Sequence, residues 1–252
     1  MNLVIWFSWY KEILEELGFS RDDDEKSALI LNKLLESSNC LSPEDIPIKD
    51  RVIVFGAGPS LKGNIKDLKN LNLSNFTLIA ADGATTALLE DDITPDIIVT
   101  DLDGKMEDII QANLDGSFLV LHAHGNNLDK INEYFPRLKR VLGTTQSTPL
   151  GNVYNFGGFT DGDRALYFAV ELGVKYIILA GMDFGRMVTK YSRPDMDTKL
   201  GKADEIKLLK LKYAKKLVEW LASNENVTIF NISHGEKLDG VRDVNIEELK
   251  DL

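Results

Sequence analysis

Two aspartates one residue apart, Asp101 and Asp103, close a short apolar run, Ile97-Ile98-Val99, that lies between Pro95 and Gly104. A β-branched run bounded by turn residues predicts a buried strand. Side chains alternate along a strand, so both carboxylates would face one way if the extended geometry persists. Carboxylates on one side repel each other unless a proton or cation separates them. That chemistry suits a hard divalent ion such as Mg2+, held by a few carboxylates and the oxygens of a phosphate substrate. The competing reading is a turn whose acids are solvated. Asp82, just before Gly83, adds a third carboxylate at a neighbouring strand end. A metal cluster of Asp82, Asp101 and Asp103 is then the expectation. The alternative for Asp82 is a cap on a helix that begins near Thr85.

Other residues with chemical potential flank these acids. The turn Gly56-Ala57-Gly58-Pro59-Ser60 would let backbone N–H groups approach phosphate oxygens. It is not a dinucleotide fingerprint, because Leu61 stands where a third glycine is needed, and no Gly-Lys-Ser/Thr follows to make a Walker A loop. His122 and His124 suit phosphate contact, proton acceptance or loop hydrogen bonds better than zinc, since no Cys or His-x-x-x-His pattern supports them. Thr160-Asp161-Gly162-Asp163-Arg164 reads as a capping box with Asp in the place of Glu, or as a helix start that aims Arg164 at phosphate with Asp161 near a metal. Gly181-Met182-Asp183-Phe184-Gly185 brings Asp183 to another strand end. Arg186, Lys190, Arg193, Lys199 and Lys202 then form a basic stretch, read as a lid over triphosphate or as an exposed loop.

The elements that must hold these residues repeat as strand, loop and helix from Arg51 onward. Strands are predicted at 51–55, 77–81, 96–100, 117–121, 139–142, 175–180 and 227–231, and helices at 161–172 and 204–223. Several strands are continuous apolar runs, as in parallel strands covered on both faces. The expected fold is α/β, a doubly wound, mostly parallel Rossmann-like sheet. Ligands of such sheets bind beyond the carboxyl ends of the strands, where five of the polar, Gly-bearing loops fall together. Residues 1–48 read as a separate helical segment and 49–252 as the catalytic domain. In the first helix Ile5, Trp9, Ile13 and Leu17 are the expected apolar stripe, with Gly18 as the stop. A second helix is expected over 23–37, with Leu29, Ile30, Leu34 and Leu35 inward. Asp22-Asp23-Asp24-Glu25 at its start read as dipole-favoured caps rather than metal ligands, and 42–47 reads as a linker.

Composition narrows the partners. The chain of 252 residues is 44% hydrophobic and carries a net charge of -11, which argues against nucleic acid or an anionic membrane. The single cysteine, Cys40, excludes an internal disulfide and a Cys-rich metal site. The apolar stretch from Met1 to Tyr10 has no basic region before it, and no run approaches a membrane span, so a cytoplasmic protein is expected. Residues 1–48 would cover a sheet edge or form a homodimer contact.

Gly56-Ala57-Gly58-Pro59-Ser60-Leu61, Ala81-Asp82-Gly83-Ala84, Pro95-Asp96 with Thr100-Asp101-Leu102-Asp103-Gly104, Thr160-Asp161-Gly162-Asp163-Arg164-Ala165 and Gly181-Met182-Asp183 together resemble the archaeal 6-hydroxymethyl-7,8-dihydropterin pyrophosphokinase (MptE-like) family. The likeness spans most of the chain. Parts of it are similar to thiamine pyrophosphokinases, which usually add a C-terminal all-β domain; only a short tail follows the last predicted strand here. Related domains also occur in motility-associated glycosyltransferases. The resemblance implies ATP as co-substrate, Mg2+, a small pterin alcohol as acceptor, and pyrophosphoryl transfer with release of AMP. It implies metal contact by Asp82, Asp101 and Asp103, phosphate contact by Asp161 and Arg164, and a nucleotide end shaped by Gly56, Gly58, Pro59 and Ser60. Gly83, His124 and Asp183 would complete the nucleotide site, with Asp161 or His124 as the base. Asn126, Asn127, Phe156 and Phe159 are unranked candidates for the base or the pterin ring. The rival expectations are thiamine pyrophosphokinase, a sugar-nucleotide glycosyltransferase and a non-catalytic nucleotide-binding module.

Overall fold

In a computed structural model, which describes residues 2–250, the apolar runs become one parallel sheet. Met1, at the head of the apolar N-terminal stretch, and Asp251 and Leu252, at the end of the expected 49–252 domain, lie outside the described residues. The chain begins with α1 (Leu3–Leu17) and α2 (Arg21–Glu36). It continues through β1 (Arg51–Phe55), α3 (Leu61–Leu68), β2 (Thr77–Ala81), α4 (Ala84–Leu89), β3 (Ile97–Thr100), α5 (Met106–Asp115), β4 (Phe118–Ala123), α6 (Leu128–Tyr134), β5 (Val141–Thr145) and β6 (Val153–Tyr154). After α7 (Asp161–Glu171) come β7 (Tyr176–Ala180), β8 (Met187–Thr189), β9 (Leu200–Lys202), α8 (Glu205–Asn224), β10 (Thr228–Asn231) and β11 (Arg242–Asp243).

Nine strands pair in the order β11-β10-β7-β1-β2-β3-β4-β5-β6, every pair parallel. The chain winds outward from β1 to β6, then returns to place β7 on the other side of β1. The winding direction therefore reverses between β1 and β7, and that crevice is where such sheets bind ligands. Helices cover both faces. Val52, Val54, Ile79, Val99 and Leu179 pack against α1, α7 and α8. Ile53, Phe55, Leu78 and Ala80 pack against α3 and α4, and Ile98, Leu119 and Leu121 against α2 and α5. The alternation of Val and Ile neighbours in β1 between two cores is the period-2 signature of a strand buried on both sides.

The two N-terminal helices thus lie on opposite faces of the sheet. Gly18, at φ 68°, ends α1, and Ser20 caps α2 by accepting the Asp23 N–H at 3.3 Å. The buried stripe of α1 is Trp6, Tyr10 and Ile13, while Ile5 is 39% exposed. In α2, Ala28, Leu31 and Leu35 are buried and Leu29 is exposed. Both stripes differ from the expected ones. Strand β4 runs on to Ala123 and takes His122 into the sheet, and the expected strand at 139–142 is β5, shifted to Val141–Thr145. The expected linker holds a single 3-10 turn, Pro43–Asp45, with a reciprocal cap between Ser42 and Asp45. The basic stretch after Gly185 folds into an antiparallel arm, β8 against β9. No described helix is long and apolar enough to cross a membrane.

Candidate active site

The carboxyl ends of β1 to β5 and β7, with the starts of α7 and α8, surround one cleft of about 320 Å³. Its floor carries carboxylates from three different elements. One oxygen each of Asp82, Asp101 and Asp161 lies within 4.8 Å of the others. Asp82 follows β2 in a left-handed conformation, φ 45°, and its Oδ1 accepts the Thr100 hydroxyl at 2.5 Å. Gly104 is needed beside it, because a Cβ there would stand 2.8 Å from Asp82 Oδ2. Asp101 follows β3. Its Oδ2 lies 3.1 Å from His124 Nε2, its carbonyl accepts Asn127 Nδ2 at 2.9 Å, and its Oδ1 is buried with no partner. Asp161 opens α7, and Arg164, one turn on, donates to its Oδ1 at 3.0 Å.

Asp103 is the acid that the expected cluster included and the geometry leaves out. Extended backbone stops at Thr100, and Leu102 takes a left-handed φ of 67° to bury its side chain in the core. The alternation that would have aligned Asp101 and Asp103 is broken there. Asp103 turns to the rim, 69% exposed, and pairs with Lys130. Asp161, from α7, occupies the third corner instead.

Electrostatics mark the trio as incomplete. Burial, with the charge of Asp101 next, pushes Asp82 up to about 7. Burial and Asp101 also raise Asp161 well above the carboxylate range. Burial acts to raise Asp101 too, but the hydrogen bond from His124, together with the nearby Arg164 cation, outweighs it and holds Asp101 below that range. Three oxygens so close, one without a partner, fit a hard divalent cation, which would let all three acids ionise together.

Around the trio the other expected residues divide. Gly56, Gly58, Pro59, Gly83, Asp183 and Asn126 line the cleft. Ser60 is not in the lining; it braces Asp183, whose Oδ2 accepts its N–H at 3.1 Å and its hydroxyl at 2.9 Å. This brace ties the loops after β1 and β7 together across the crevice. Gly58 fits only without a side chain, since a Cβ would stand 2.6 Å from the Gly181 carbonyl. Asn126 N–H donates to His124 Nδ1 at 3.3 Å, which assigns the ring proton to Nε2 and makes His124 a donor to Asp101. Asn127 is spent on the carbonyls of Asp101 and His122. His122 is buried behind the cleft, against Thr144 Oγ1 at 3.1 Å. Phe159 lines the cleft, whereas Phe156 packs on Tyr154 and Phe168. The expected capping box at Thr160 and Asp163 forms.

Four cleft residues had no functional reading from sequence. Asp24 lies in the first turn of α2 and is buried. It accepts Tyr10 Oη at 2.6 Å, Gln146 Nε2 at 2.7 Å and the Gly125 N–H at 2.7 Å. Gln146, just past β5, also accepts Arg164 Nη2 at 3.1 Å, and its carbonyl accepts Trp6 Nε1 at 2.8 Å. A chain of contacts thus runs from Asp161 through Arg164 and Gln146 to Asp24. Lys207 and Lys210, from the first turns of α8, also line the cleft. Asp24 was hidden in an acidic run and the lysines in an amphipathic helix; Gln146 alone carried a usable signal, a polar residue at a strand end.

The family model described as "6-hydroxymethylpterin diphosphokinase MptE-like" matches residues 29–188. A 6-hydroxymethyl-7,8-dihydropterin pyrophosphokinase of Methanothermobacter thermautotrophicus is 55% identical over 91% of this chain and 99% of its own. Proteins of the same name from Methanocaldococcus jannaschii and Pyrococcus furiosus are 47% and 45% identical, over 88% and 90% of this chain and 96% and 97% of theirs. On that likeness, carried along almost the full length of each relative, the chain belongs to the MptE-like family of 6-hydroxymethylpterin diphosphokinases.

Proposed function

We propose that the protein transfers the β,γ-pyrophosphoryl group of ATP to the hydroxymethyl oxygen of 6-hydroxymethyl-7,8-dihydropterin. The hydroxyl oxygen attacks the β-phosphorus and its proton passes to solvent, the bond from that phosphorus to the oxygen bridging to the α-phosphate breaks, and AMP leaves. The observation that carries this reading is the trio of Asp82, Asp101 and Asp161 beside Arg164 in the cleft at the carboxyl ends of the strands. The trio would hold Mg2+, which when bound neutralises charge on the phosphoryl oxygens and helps hold them in line. Arg164, steadied by Asp161 and Gln146, is directed to phosphate oxygens. The Gly56–Ser60 turn, held by Asp183, takes the nucleotide end through backbone N–H groups. His124 orients Asp101 rather than acting as the base, since its Nδ1 already accepts a backbone proton. Little is asked of a base where positioning and charge neutralisation dominate.

The test supplies ATP, Mg2+ and the dihydropterin and follows AMP by chromatography. Release of one AMP per pterin diphosphate is expected. Absence of AMP above background at saturating substrates would overturn the proposal, and turnover with thiamine in its place would overturn the acceptor.

A further inference from the structure

Two cations of α8 are not absorbed by the reading above. Lys207 and Lys210 line the cleft, yet among the described residues neither ammonium makes a hydrogen bond or an ion pair. Other bases of this acidic chain do find carboxylates: Lys62 pairs with Asp91, Lys130 with Asp103, Lys215 with Glu219 and Arg193 with Asp204. Lys210 Nζ lies over the face of the Phe19 ring, 5.5 Å from its centroid. Position makes the pair harder to explain as helix design. Asp204 caps α8, so Lys207 falls in the first turn, where the helix dipole disfavours a cation. Lys207 and Lys210 are three apart, so they share a face and repel. Burial pushes the Lys207 ammonium below its ordinary range, with Lys210 adding to the effect and Asp161 and Asp101 opposing it. Two ammonium groups without an ion-pair partner among the described residues therefore share one cleft with three carboxylates. A dihydropterin is uncharged and cannot satisfy them, whereas a polyphosphate can, with a divalent ion on its other side.

We infer that Lys207 and Lys210 are contact residues for the β- and γ-phosphates of the donor nucleotide, gripping the transferred group in the cleft they share with the acid trio. This rests on the pyrophosphokinase reading, and the test separates the two. Dissociation constants for ATP and for AMP, each with Mg2+, are measured by calorimetry on the full chain, for the wild type, K207M, K210M, the double Met variant and the double Arg variant. Each Met substitution is expected to weaken ATP by about tenfold, the scale of one charge-assisted hydrogen bond, and to leave AMP unchanged. The double Arg variant, which keeps both charges, is expected to stay within about threefold of wild type for ATP, well inside that loss. Unchanged ATP affinity in the double Met variant would overturn the inference. An equal loss of ATP and AMP, or a double Arg variant as weak as the Met one, would overturn it too. A wild type that binds neither nucleotide would overturn the underlying reading and the inference with it.

Discussion

The division of labour between Asp161 and Asp103 is decided by one backbone angle. Leu102 turns left-handed to reach the core, and so the carboxylate two residues after Asp101 leaves the site. Removing charge from a trio member should therefore cost far more than removing it at the rim. Asp101→Asn and Asp161→Asn are expected to lower kcat by at least about a hundredfold, in the range of a lost electrostatic group at a phosphoryl site. Asp103→Asn should stay within about tenfold, since it deletes an exposed ion pair. Kinetics across a Mg2+ titration check both, and equal losses at Asp103 and Asp161 would refute the division. His122 gives a second prediction. It is 2% exposed, and burial, with the charge of Arg164 next, holds its imidazole well below the usual value. The folded ring stays neutral while the unfolded one takes up a proton below about pH 6.5. The stability supplied by neutral, buried His122 should accordingly fall as pH drops from 7.5 to 5.5, by at most about 1.4 kcal/mol per unit, while the raised carboxyls of Asp82 and Asp161 act in the opposite sense. Relative to wild type, His122→Asn should lose this acid-sensitive contribution, so the urea midpoint of the variant should drop less, or rise more, between pH 7.5 and 5.5; an identical pH dependence would remove His122 as a contributor. Little of this was readable beforehand. The acids announced themselves by type and spacing, but a left-handed Leu has no sequence signature, and Asp24 looks like any other acid of a helix cap.

Elements differ in legibility for physical reasons. β1 and β2 have the bounds expected of them because a β-branched run buried on both faces ends abruptly at Gly56 and Asp82. The stripe of α1 was misplaced because a strict spacing of four drifts about 40° per step around a helix of 3.6 residues per turn. Trp6, Tyr10 and Ile13, spaced four and three, stay on one side. The arm of β8 and β9 was unreadable because three-residue strands offer too few alternations. That arm is held at both ends of the crevice. Thr189 Oγ1 donates to the Ala57 carbonyl at 2.7 Å, and the Tyr191 carbonyl sits where a Cβ of Gly83 would go. Gly83 has φ -65°, so alanine suits its backbone and only space forbids it. Gly83→Ala should therefore push the arm away without disturbing the sheet. Expected are faster proteolysis within 185–203, a KM for ATP raised by about tenfold, as for one lost charge-assisted contact, and unchanged helical circular dichroism. Unchanged proteolysis with normal KM would show that the arm does not depend on that contact.

At the scale of the molecule, the N-terminal helices decide whether the chain unfolds in one step or two. α1 and α2 lie on opposite faces of one sheet, and the turn between them crosses the strand ends at the cleft. Removing them would bare both cores at once, around Trp6 and Ile13 on one side and Leu31 and Leu35 on the other. The link between this clasp and the site is Asp24, whose three donors come from α1, from the loop after β4 and from the residue after β5. Burial, with Asp24 as acceptor, drives the Tyr10 phenol upward, so it remains a donor throughout the accessible pH range. Asp24→Ala would leave these donors without their acceptor in a buried place, a loss of about 2–5 kcal/mol. It would also free Gln146, and through it loosen one of the two groups that steady Arg164. Asp24→Ala should thus lower both the urea midpoint and kcat, with a single cooperative transition and an unchanged m-value. Two separated transitions would mean that residues 1–48 fold as their own unit. Lost stability with wild-type kcat would mean that the clasp supports the fold and leaves the chemistry untouched.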